Sequence, residues 1–138
     1  MKRGVLIAGA VVVTAAMAAA GVFIARHDWL VEDLMGQVHI GPSSPYERLN
    51  AQATAAAPEW SNLEVILPPL DEMCRALVTA KDGTIRQSAG GYVDAVERLR
   101  RAITGRELAL FREASQDLRK SCGDCHAPGG VGGVLLAR

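Results

Sequence analysis

The sequence predicts an all-α protein, a helical bundle behind an N-terminal membrane-spanning helix. Three observations carry that expectation. From Leu30 to Cys125 apolar residues recur three and four positions apart, the spacing that lines up side chains on one helix face. No stretch of useful length alternates apolar and polar residues as a strand would. Before both, Gly4 to Ala25 holds no charge and only Thr14 as a polar side chain.

That first segment comes after the short basic start Met1-Lys2-Arg3. As a helix its 22 residues span about 33 Å, enough for a hydrocarbon core of about 30 Å. The apolar core of a cleaved signal peptide is only about 7–15 residues long. Length therefore predicts an uncleaved anchor over residues 1–26, although Ala18-Ala19-Ala20 would also serve as a cleavage site. In both cases Lys2 and Arg3 stay in the cytoplasm and the chain after Arg26 is exported, to the periplasmic side of the membrane. His27 and Trp29 then fall at the membrane surface.

Residues 27–127 have the length of one domain. Asp28 to Val38 reads as a short helix with Leu30, Leu34 and Val38 on one face, interrupted by Gly41-Pro42-Ser43-Ser44-Pro45. Ser44 as N-cap, Pro45 at the first helical position and Glu47 at the third start a second segment, Tyr46 to Ala55. Pro58 opens a longer helix along Leu63, Ile66, Leu70, Met73 and Leu77, with a kink or break expected at Pro68-Pro69, which lack two backbone donors. Met73 and the neighbouring Cys74 read as packing residues. Lys81-Asp82-Gly83 ends that helix, and Thr84 caps the next, whose stripe is Ile85, Ala89, Tyr92, Val96, Leu99 and Ile103. Within it, Glu97 to Arg101 reads as a solvated face. Gly105 closes it, and Arg106 to His126 forms the last helix along Leu108, Phe111, Ser115, Leu118, Cys122 and Cys125. Residues 128–138 are a glycine-rich tail expected to be flexible.

Charge narrows the function. The chain is formally neutral, but three of its 15 basic residues flank the apolar segment while all 15 acidic ones follow it. The exported part therefore carries −3, with histidines neutral. That mild acidity argues against a nucleic-acid partner, which calls for a basic patch.

Chemistry concentrates in Cys122-Gly123-Asp124-Cys125-His126. A Cys-x-x-Cys-His run is the attachment signature of c-type haem. Cysteines three positions apart lie on one helix face, where both sulfurs can reach the vinyl groups of a single porphyrin. The histidine beside them can ligate the iron. A structural zinc site would need four ligands, and only the isolated Cys74, His27 and His39 remain to complete it. A thioredoxin-like redox pair belongs beside a βαβ pattern, which this sequence lacks.

With the motif so placed, the chain resembles the class II c-type cytochromes, the family of cytochrome c′ and its low-spin relatives. The resemblance covers residues 28 to 127 and rests on the motif's position at the end of the last helix. It implies a four-helix bundle carrying one covalent haem. No Met or His follows His126, so a second axial ligand must come from upstream. The resemblance implies the first helix, where Met35 holds the corresponding place and Gly36 beside it would allow close approach to the porphyrin. His39, four residues on, shares that face and is the rival ligand. Where the family often carries an Arg four residues before the Met, this chain has Val31.

The expected function is outer-sphere electron transfer through iron held by His126 and Met35, a pairing that raises the reduction potential. The alternative is five-coordinate haem binding nitric oxide or carbon monoxide. No triad or carboxylate pair suggests an enzyme. The expected partners are a redox protein, the membrane and, as a further option, a second copy of the chain.

Overall fold

The computed structural model describes residues 28–127. The expected anchor at 1–26, His27 and the glycine-rich tail at 128–138 lie outside the described residues. Within them the chain is all-α, with helices and turns and no strand. No helix among the described residues is long and apolar enough to cross a membrane.

Helix α1 runs Trp29–His39, capped by Asp28, whose carboxylate accepts the Val31 N–H at 3.3 Å. The same carboxylate accepts the Lys81 N–H at 2.7 Å, tying the start of α1 to a loop 53 residues away. The buried face of α1 is Val31, Leu34 and Val38. Leu30, expected on that face, is 56% exposed. Leu30 and Val31 both stand at helical spacing from Leu34, so only the packing partner decides between them.

Helix α2, Pro45–Thr54, begins as expected: the Ser44 hydroxyl accepts the Glu47 N–H at 3.3 Å with Pro45 in the first turn. The helix expected from Pro58 is in two pieces, a five-residue α3, Trp60–Glu64, and α4, Leu67–Thr79. Pro68 and Pro69 fall in the first turn of α4, where the missing N–H groups have no intrahelical partner to lose.

The next expected helix is also divided. A short α5, Gly83–Ser88, is capped by Asp82, not Thr84: the Asp82 carboxylate accepts the Thr84 N–H at 2.7 Å. Helix α6, Gly90–Gly105, follows after a turn at Ala89. The Ser88 hydroxyl donates back to the Thr84 and Ile85 carbonyls, and two glycines of poor helix propensity follow. Both favour a break there. α6 ends in a Schellman motif, with Glu107 N–H donating to the Ala102 carbonyl at 2.8 Å and Arg106 N–H to Ile103 at 3.2 Å. Arg106 takes the left-handed position, at φ 52°, which glycine usually fills. The last helix, α7, is Leu108–His126.

The helices pack in a ring: α6 on α7, α7 on α2, α2 on α1, α1 on α4 and α4 on α6. Inside it Leu49, Leu63, Leu70, Met73, Leu99, Phe111 and Leu118 are fully buried. Burying each such side chain contributes about 1.5–3 kcal/mol. The expected solvated face at 97–101 is partly engaged. Arg98 on α6 pairs with Glu113 at 2.7 Å and with Asp117, both on α7, and Arg100 pairs with Asp71 on α4.

Candidate functional site

Helix α7 delivers its last turn to one end of this ring. Cys122 and Cys125 are half-buried and His126 is exposed. All three line a cavity of about 220 Å³ whose lining is mostly carbon. Its opposite wall is α1, which presents both Met35 and His39. Thus the four site residues expected from sequence, and the rival ligand, meet at one cavity although 91 residues separate Met35 from His126.

Gly36 does not share that wall. It borders a shallow groove on the outer side of α1 with Trp29, Glu32, Asp33 and Gln37, so it does not bring α1 close to the cavity. Val31, where the family often has Arg, is buried in the core.

Sequence reasoning missed four other contributors, Tyr46, Ser88, Ala89 and Tyr92. Tyr46, at the start of α2, reads in the sequence only as the beginning of its helix. Ser88 and Ala89 reach the cavity because the chain breaks between α5 and α6, leaving the Ser88 hydroxyl 3.7 Å from the Cys125 sulfur. Tyr92 was expected as a stripe residue of its helix, and it is buried. Its hydroxyl, however, stands 3.1 Å from Nε2 of His39. The imidazole lies against two phenol rings, with centroids 5.4 Å from Tyr46 and 5.6 Å from Tyr92.

The apolar surroundings shift His39, Tyr92 and Cys122. Burial lowers the His39 pKa from 6.5 to about 4; the Met35 backbone as a hydrogen-bond acceptor opposes this and nearby His126 adds to it. His39 is therefore a neutral imidazole near pH 7, the form that binds metals. No bond of good geometry reaches its buried Nδ1, so the influence of the Met35 carbonyl falls short of a full hydrogen bond. Burial raises the Tyr92 phenol far above its ordinary range. It also raises the Cys122 thiol, helped by Cys125 beside it. Cys74, away from the cavity, is pushed up to about 11 by burial and by Asp71.

The donor set suits a covalent haem. Two thiols three residues apart border an apolar cavity, with one histidine on their own helix and further ligand atoms on the facing one. Among the described residues, no group of three or more His, Cys, Asp or Glu converges as an ion's ligands would. No protein-family model, curated protein or solved structure matches the chain.

Proposed function

We propose that this chain is a monohaem c-type cytochrome that transfers electrons outside the cytoplasm. One observation supports it above the rest: Cys122, Cys125 and His126 border the same apolar cavity as Met35. On this reading the described helices make a four-helix bundle, α1 with α2 forming one wall and α4, α6 and α7 the others. Cys122 and Cys125 would attach the porphyrin through thioethers, and His126 and Met35 would ligate its iron. The group supplies a one-electron couple, and a Met/His pair places its potential high.

The chain's own residues prepare that chemistry. Leu77, Ala89 and Tyr92 line the cavity with apolar surface, which disfavours extra charge and excludes water. Tyr46 and Tyr92 hold the α1 wall through the His39 ring. The half-exposed motif turn leaves an edge from which an electron can pass to a partner protein without a ligand being exchanged. The apolar segment 4–25 anchors the domain on the periplasmic side.

Haem staining on a denaturing gel tests attachment: Cys122→Ala combined with Cys125→Ala removes the stain, and its retention overturns the reading. Near-infrared spectra test Met35. The oxidised protein shows a sulfur-to-iron charge-transfer band, which Met35→Ala abolishes while opening the iron to carbon monoxide and lowering the potential. Rapid carbon monoxide binding by the unaltered protein would instead establish the gas-binding alternative. Carbonate washing tests the anchor: the protein stays with membranes, and a soluble species starting near Gly21 would show cleavage.

A further inference from the structure

Helix α1 offers the cavity two groups able to ligate iron, four residues apart: the Met35 thioether and the His39 imidazole. Imidazole is a general ligand for iron, whereas thioethers favour softer metals. If the sixth ligand is Met35, something in the fold must withhold His39. We infer that Tyr92 does so, holding His39 off the iron and thereby setting the axial ligation. This rests on the haem reading above.

The contact is direct. Tyr92 Oη lies 3.1 Å from His39 Nε2 across 53 residues of chain, with both groups in the cavity wall. With the proton on Nδ1, which the Met35 carbonyl favours, Nε2 accepts the phenol proton and its lone pair is used. The arrangement is also self-reinforcing. Tyr92 is only 4% exposed, and moving His39 to a metal would deprive the phenol of this partner. A buried hydroxyl left unpaired is costly. The Tyr46 and Tyr92 rings further restrict rotation of the imidazole, because it touches both. Tyr92 is thus a positioning residue: it acts on the iron only through His39.

The test uses the full-length holoprotein and Tyr92→Phe, which keeps the ring and removes only the hydroxyl. Unaltered protein shows the sulfur-to-iron band. Tyr92→Phe loses it, gains a bis-histidine spectrum and has a lower potential. His39→Ala alone keeps the band, and Tyr92→Phe with His39→Ala regains it, a rescue that general loosening of the cavity would not produce. Retention of the band in Tyr92→Phe overturns the inference. So does a bis-histidine or open-site spectrum in the unaltered protein, or loss of the band in His39→Ala, which can be measured even where Tyr92→Phe does not accumulate. In those results covalent haem stays and only the ligation assignment falls. A full-length chain without covalent haem would overturn the haem reading and this inference together.

Discussion

Helix α7 carries one apolar stripe through two different surroundings. In its first half Phe111, Ala114 and Leu118 are fully buried, and the Trp60 ring meets Phe111 edge-on with centroids 5.8 Å apart. About 21 Å further along the axis, fourteen residues at 1.5 Å each, Cys125 is half-buried at the rim of a cavity. The first region is closed by large side chains from neighbouring helices. The second keeps a cavity although Met35, His39, Tyr46 and Tyr92 line part of it, because Ser88, Ala89 and Ser121 are too small to fill the rest. Interiors pack to crystal-like density, so a domain this size ordinarily fills such space with side chains. The contrast shows where the chain supplies bulk and where it leaves a cavity.

The sharpest way to break this contrast is to hollow out the closed end. Phe111→Ala should destabilise the domain by about 3–5 kcal/mol in chemical denaturation. Haem stain per folded molecule should stay unchanged, because the motif turn lies about four turns away. Loss of covalent haem from folded Phe111→Ala protein would mean that the two regions are not independent.

A smaller effect is expected at the open end, in the haem-free domain. The folded-state pKa of His39, about 4, lies below its ordinary 6.5, so between those values the unfolded chain binds the extra proton. The contribution is present in full above pH 6.5 and is lost as pH falls toward 4. Its slope is at most about 1.4 kcal/mol per pH unit. Denaturation midpoints of unaltered and His39→Ala protein across that window measure it. Parallel curves would mean that His39 is not shielded from water.

The smallest effect concerns the turn that leads into the closed half of α7. Arg106 sits at φ 52°, and a non-glycine residue there costs about 1 kcal/mol. Arg106→Gly should stabilise the domain by less than about 1 kcal/mol, since the added freedom of the unfolded chain offsets part of the relief. It should leave the haem spectrum unaltered. A thermal melt with a spectrum on the same sample checks both.

Much of this molecule is determined by local chemistry and was legible in the sequence. The spacing in Cys122-x-x-Cys125-His126 fixes those side chains relative to one another on any helix, and period 3.6 fixes the stripes of α4, α6 and α7. Ser44 with Pro45 and Glu47 starts α2 because capping involves only the first turn. What only the tertiary structure decided is whatever depends on partners distant in sequence. Rotation of α1 buries Val31 instead of Leu30, because α4 and the Lys81 N–H on Asp28 orient that helix. The break at Ala89 brings Ser88 against Cys125, and the bond from Tyr92 to His39 spans 53 residues. Periodicity tells which residues share a face. It carries no information about what that face meets, because packing energy is set by surfaces that the chain brings together only on folding.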